Sequence, residues 1–185
     1  LYKEFSERFP IAKLESLSIE AYTNSDRETS FCYWLETKTG DLGGIGGGSA
    51  YKFGIFKTAT PPKPSNQAKF DDNYLWYSKY GNTAEEAYKN VRSNIVKVAK
   101  AARNHDYETI DKIDLGISYK WKVAYLYSEM KLLNIFAEKG VRYIAKKHGF
   151  QNFKRGKISE IQEYLISLAS GKNLLEYSQE LWSEW

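Results

Sequence analysis

Apolar and polar positions along the chain fall into short blocks with the period of strands and longer stretches with the period of helices. Ser30-Phe31-Cys32-Tyr33-Trp34-Leu35-Glu36 is short and rich in β-formers, which predicts a strand. Tyr51-Lys52-Phe53-Gly54-Ile55-Phe56-Lys57 predicts a second. Glycines at 40, 43, 44, 46, 47 and 48 lie between the two, so a hairpin or a pair of neighbouring strands is expected. Residues 74–80 predict an aromatic strand stopped by Gly81-Asn82. Residues 120–127 alternate, with Trp121, Val123, Tyr125 and Tyr127 on one side, and predict another. After a turn at 128–131, residues 132–136 predict a last short strand.

Helical spacing is clearest after Thr83, which with Glu86 forms a capping-box pattern. Ala84, Ala87, Tyr88, Val91, Ile95, Val98 and Ala102 share one side of the wheel. Lys89, Arg92, Lys97, Lys100 and Arg103 share the other, and the helix is expected to end near Asn104. Further helices are predicted over 137–148, with Gly149 as the C-terminal cap, and over 158–169 and 174–184. Residues 1–30 read as a polar, partly helical lead-in anchored by Leu14, Leu17, Ile19 and Tyr22. Pro61, Pro62, Pro64, Ser65 and Asn66 mark residues 58–70 as an exposed loop. The expected architecture is α+β, a largely antiparallel sheet packed with several helices and a helical C-terminal part. Residues 1–150 are expected to form an α+β recognition domain and 151–185 a helical extension packed on it, the two making a single domain overall.

Composition adds one anomaly. Five Trp, fifteen Tyr and nine Phe make 16% of 185 residues, of which about two in three belong in a core. The rest suit a binding surface. Net charge is +4, enough to permit contact with phosphate without demanding it. Splitting after His105 gives 15 basic and 12 acidic residues, then 12 and 11, so neither half is a polycationic arm. Cys32 is the only cysteine, which favours a reducing compartment. No apolar run approaches membrane-spanning length, and the expected location is cytoplasmic. The chain opens on Leu1, read here as the mark of a fragment excised from a larger protein.

Candidate chemistry thins out on inspection. The glycine cluster lacks the lysine and the following helix of a phosphate-binding P-loop, and it fails the Rossmann pattern for the same reason. Two E-x-K triplets, Glu36-Thr37-Lys38 and Glu129-Met130-Lys131, match a nuclease signature. Sixteen Glu and twenty-one Lys predict about two by chance, so they carry no signal. Asp71-Asp72 has no partner at helical spacing, and His105 and His148 lack zinc-ligand spacing. No catalytic residue, metal or cofactor is expected. Lysines and rings do interleave, in 51–57, 76–80 and 119–122. That pattern suits a groove in which lysines hold phosphates while rings stack on a base. Its duller counterpart is rings inside and lysines outside. Lys146, Lys147, Lys154, Arg155 and Lys157 form a second basic cluster that could meet phosphate or complement helix ends.

SIEAYTNSDRETSFCYWLETKTGDLGGIGGGSAYKFGIFK (18–57), KWKVAYLYSEMKLLNIF and EIQEYLISLASGKNLLEYSQELW resemble the amino-terminal region of McrB-like proteins, the AAA+ GTPase subunits of modification-dependent restriction systems. The resemblance spans most of the chain. It implies a non-catalytic module that binds double-stranded DNA, often at a modified base flipped out of the duplex, a modified cytosine being one candidate and the modification itself left open. It also implies a GTPase motor in the parent protein and a separate partner nuclease. No GTPase motif is present in this chain. The residue reading assigns ring contacts to Tyr33, Trp34, Trp76, Tyr77 and Trp121, and phosphate contacts to Lys52, Lys79, Lys120 and Lys122. Gly43 to Ser49, with Gly46, Gly47, Gly48 and Ser49 at its tip, is the loop expected to approach the duplex. The rival readings are a protein-interaction module of a larger multidomain protein and a stand-alone nuclease.

Overall fold

The computed structural model describes residues 1–26, 28–47, 49–61, 63 and 66–185. Its fold is α+β, with helices far outweighing the sheet. Four short helices open the chain: α1 (Tyr2–Arg8), α2 (Ile11–Leu14), α3 (Ile19–Tyr22) and α4 (Phe31–Tyr33). Among the described residues three strands follow, β1 (Ile55–Lys57), β2 (Ala68–Phe70) and β3 (Tyr74–Tyr77). They form one antiparallel sheet in the order β1-β3-β2, pairing Ile55 with Trp76 and Phe70 with Leu75. Six helices complete the chain: α5 (Ala84–Arg103), α6 (Tyr107–Lys112), α7 (Ile117–Tyr127), α8 (Glu138–Lys147), α9 (Ile158–Ser167) and α10 (Leu174–Trp182).

The 20-residue α5 organises the packing. The Thr83 hydroxyl accepts from the Glu86 amide (3.2 Å), and the Glu86 carboxylate accepts from the Asn82 amide (2.8 Å). Its apolar stripe packs on α7, and on β1 and β3. Gly54 lets β1 come this close: at φ +78°, a Cβ there would lie 2.7 Å from Val91.

Three predicted strands are not strands. Residues 31–38 form α4 and a π-turn, capped when Ser30 Oγ accepts from the Tyr33 amide and closed by Thr39 Oγ1 on the Trp34 carbonyl. A short apolar run has no period of its own to separate helix from strand. Residues 120–127 belong to α7, in which every residue from Tyr119 to Tyr127 is buried. A helix buried all round shows no helical stripe, and its two lysines imitate the polar beats of a strand. Residues 132–136 take no regular form, although Leu132, Leu133, Ile135 and Phe136 are buried. Side chains stand in for the missing strand partner: Gln162 bonds both the amide (2.9 Å) and the carbonyl (3.3 Å) of Leu133, and Ser178 Oγ accepts from the Asn134 amide. The second predicted strand keeps only β1, and the aromatic third ends at Tyr77 in a 3-10 turn. The expected loop at 58–70 contains β2, and its Pro62, Pro64 and Ser65 lie outside the described residues.

The predicted helices after residue 136 are present, and Gly149 takes φ +91° after α8. The terminal helices are tied into the body of the protein. The Asp111 carboxylate accepts from the amides of Ile158 and Ser159 at the start of α9, which packs on α6 and α8.

Candidate functional site

Three tyrosines meet beside the sheet, Tyr51 and Tyr77 half-buried and Tyr80 buried (5% exposed) beneath them. Tyr77 ends β3, Tyr80 closes the 3-10 turn after it, and Tyr51 rises from the 3-10 turn before β1. The ring centroids of Tyr51 and Tyr77 are 4.8 Å apart, and those of Tyr77 and Tyr80 are 6.5 Å apart. These rings wall a cleft of about 500 Å³, closed on the far side by Leu115, Gly116 and Ile117 at the start of α7. Asn66 and Gln67 form its lip, held when the Ser78 amide donates to the Gln67 carbonyl and Ser78 Oγ to the Asn66 carbonyl.

The cleft carries positive charge at its rim. Lys79 Nζ stands 4.8 Å from the centroid of Tyr80 and 5.8 Å from that of Tyr77, within cation–π range. It also bonds the Asp114 carboxylate at 2.5 Å. Partial burial alone would lower the Lys79 pKa, but the bond and charge of Asp114 hold it above the ordinary lysine value. Both side chains are half exposed or more, so the pair is worth little and Lys79 can exchange it for another anion. Burial pushes the Tyr80 phenol up, against the opposing pull of Lys79.

Lys52 joins the cleft to the glycine loop, since it lines both the cleft and a neighbouring hollow formed with Gly44, Ile45, Gly46, Gly47 and Ser49. Its ammonium donates to Glu36 Oε1 (2.5 Å), to the Ile45 carbonyl (2.7 Å) and to the Gly47 carbonyl (3.0 Å). A lysine has three N–H donors, and all three are engaged. Lys52 therefore braces the loop from within, and the predicted phosphate contact is corrected on that ground. Gly46 and Gly47 have nothing within 4 Å of a Cβ position, so the loop tip is open to a ligand. Ser49 is exposed and its hydroxyl accepts from the Tyr51 amide, while Gly48 lies outside the described residues. Gly43 serves packing instead: at φ +94°, a Cβ would press within 2.5 Å of the Asn134 carbonyl.

Most of the other predicted contacts lie in the core. Trp121 is 1% exposed, Trp76 3% and Trp34 8%. Trp76 and Tyr77 are neighbours on a strand and so face opposite ways, which puts one in the core and the other in the cleft. Trp34 packs edge-on to Phe9. Trp121 lies within the wholly buried α7. Lys120 and Lys122 are buried as well. Lys120 Nζ donates to the carbonyls of Asp111 (2.8 Å) and Ile113 (3.0 Å). Lys122 Nζ donates to those of Thr39 (2.8 Å), Leu42 (3.2 Å) and Gly43 (2.6 Å). These two amines tie chain segments together and cannot reach a phosphate. Tyr33 is half-buried and lines a separate hollow with Cys32, Glu36 and Lys57. Of the thirteen predicted residues, Lys52, Lys79 and Tyr77 come together at the cleft. Tyr51 and Tyr80 were missed, although the interleaved segments 51–57 and 76–80 contain both.

In the second basic cluster, Lys147 pairs with Glu184 (2.9 Å) and Lys157 with Glu108 (2.8 Å). Both E-x-K triplets lie off the sheet: Glu36 is on the π-turn and Glu129 sits at a turn with φ +57°. No group of three or more His, Cys, Asp or Glu that could hold a metal occurs among the described residues. No helix among them is long and apolar enough to cross a membrane. Comparison with protein-family models, with curated proteins and with solved structures finds no match to this chain.

Proposed function

We propose that this chain is a non-catalytic DNA-recognition module of the McrB-like kind, acting in the cytoplasm, and that its tyrosine cleft receives a base drawn out of the duplex. The observation that carries the reading is the cleft walled by the partly exposed Tyr51 and Tyr77, with the Lys79 ammonium at its rim. A base taken from the stack loses a few kcal/mol and needs flat aromatic surface to recover it. Tyr51 and Tyr77, both half-buried, supply that surface over the buried Tyr80, and Lys79 at the rim meets a flanking phosphate. The glycine loop borders the same opening through Lys52, where bare backbone can lie close to a sugar-phosphate strand. In this reading a GTPase motor of the parent protein and a partner nuclease do the chemistry elsewhere.

The test is fluorescence anisotropy with matched duplexes, one unmodified and others carrying different modified cytosines. Tyr77→Ala should weaken binding to the preferred duplex by about 1–3 kcal/mol, the worth of one stacked base. Trp76→Ala, one residue away, should instead cost about 3–5 kcal/mol of folding stability, measured by denaturant unfolding. A Tyr77→Ala variant that binds every duplex like the parent removes the cleft from the mechanism. Cleavage of DNA by the purified chain with Mg²⁺ would overturn the non-catalytic assignment.

A protein-interaction role is the second reading, and one feature favours it. Trp182 and Trp185, 46% and 54% exposed, meet with tilted rings 4.9 Å apart over Gly140, leaving apolar surface of the type found at interface centres.

A further inference from the structure

Charge is distributed very unevenly along this chain. After Glu86, α5 carries Lys89, Arg92, Lys97, Lys100 and Arg103 and no acidic residue, while the whole chain is only +4. Residues 87–103 alone therefore carry +5, and the rest of the chain, with Glu85 and Glu86 of the first turn of α5, sums to −1. The buried stripe of α5 includes Val91, Ile95, Val98 and Ala102, which leaves Lys89, Ser93, Lys97 and Lys100 on the opposite, exposed face. These side chains, with Arg92 and one carboxylate, Glu15, surround a shallow depression that Val96 also lines.

An ordinary solvated helix intersperses its charges with partners three or four residues away. Elsewhere this protein does so, as in Lys112 with Glu108 and Arg142 with Glu138. On α5 the spacing is reversed. Lys89–Arg92, Lys97–Lys100 and Lys100–Arg103 are like charges three residues apart, an arrangement that disfavours the helix unless an anion covers it. Lys89 and Lys97 have no ion-pair partner among the described residues. Arg92 donates to the Leu17 carbonyl (3.0 Å), a neutral acceptor that leaves its charge uncompensated. Lys100 pairs with Glu15 and Arg103 with Glu129, but all four side chains are more than half exposed, and such pairs are readily exchanged.

The flank of this face is hydrogen-bonded to segments that build the cleft. Asn90 Nδ2 donates to the Tyr80 carbonyl (2.7 Å) and Asn94 Nδ2 to the Asp114 carbonyl (3.1 Å). The flank of α5 next to Lys97 thus holds the segments that carry Tyr80 and the anion partner of Lys79. From Lys89 to Lys100 the helix rises about 16 Å. That matches roughly five base-pair steps along one strand.

We propose that the exposed face of α5 docks on the phosphate backbone of duplex DNA and so brings the bases to the tyrosine cleft at its flank. The proposal rests on the DNA-recognition reading and adds a second, sequence-independent surface to it. The partner is a polyanion of regularly spaced phosphates, because the cations are spread along a straight helix rather than gathered round one point.

The experiment compares the salt dependence of duplex binding by the intact chain and three variants, each checked for helicity by circular dichroism. K89Q/K97Q/K100Q should lower the slope of log affinity against log salt by about 2 to 3, since each phosphate contact contributes about 0.9. The loss should be the same for unmodified and modified duplexes. Y77A should change preference among duplexes and leave the slope unaltered. K131Q/K139Q/K172Q removes the same charge elsewhere and should keep the parental slope. Parental binding with an unaltered slope in K89Q/K97Q/K100Q overturns the α5 surface and spares the cleft. An equal drop in K131Q/K139Q/K172Q also overturns it, by reducing the effect to net charge. No binding of any duplex by the parent overturns this proposal together with the recognition reading.

Discussion

Lys122 shows how the environment of one side chain reverses the meaning of its residue type. In the sequence it belongs to an aromatic-basic segment suited to phosphate. In the fold it is wholly buried, and its ammonium gathers three carbonyls from the turn that begins the glycine loop. Desolvation pushes its pKa down to about 7. An unfolded chain keeps this lysine protonated up to about pH 10. Between those limits the unfolded state binds more protons than the folded one, so stability should rise with pH through that window. Denaturant melts from pH 6.5 to about 8.5, below the range in which an unfolded Cys32 thiol ionises, should show the rise in the parent and a smaller rise in Lys122→Met, since burial also lowers the Lys120 pKa. That variant should also be about 1–3 kcal/mol less stable near pH 9, because carbonyls in a buried setting lose their donor. Trp34, Trp76 and Trp121 carry the same lesson: ring type signals a capacity to stack, but burial decides whether the ring can be reached.

At the scale of elements, legibility followed amphipathicity. The helix from 84 to 103 and those after 136 each have one dry and one wet face, and both their positions and several caps could be read from the sequence. Elements buried on every side could not be read, as α7, α4 and residues 132–136 show. The last of these depends on a partner 29 positions away, the Gln162 amide that replaces strand pairing at Leu133. Gln162→Leu conserves much of the volume but leaves a buried amide and carbonyl unmet. It should cost about 2–4 kcal/mol, more than typical single substitutions, and should speed hydrogen exchange at Leu133. The candidate site was partly legible for a related reason. Interleaved rings and lysines marked the right segments, 51–57 and 76–80, but the choice between neighbours depends on which way a strand faces, and Tyr77 and Trp76 exchange roles on that alone.

For the whole molecule, aromatic abundance divides between scaffold and surface. Phe5, Phe9, Phe31, Tyr22 and Tyr127 interlock across α1, α3, α4 and α7, and the Tyr22 and Tyr119 hydroxyls meet at 2.9 Å beneath the Phe53 carbonyl. The N-terminal helices are thereby part of the core rather than a lead-in to it. Cys32 sits in this assembly beside Tyr22, where burial pushes its thiol well above the usual range. Because it is the only cysteine in the chain, it works as a built-in stopwatch. A thiol-reactive dye should label the native protein slowly, at a pace set by how often the first four helices lift away. Ligands that clamp the fold should stretch that interval, and a dye uptake as fast as that of a free thiol would mean the N-terminal layer is never truly shut.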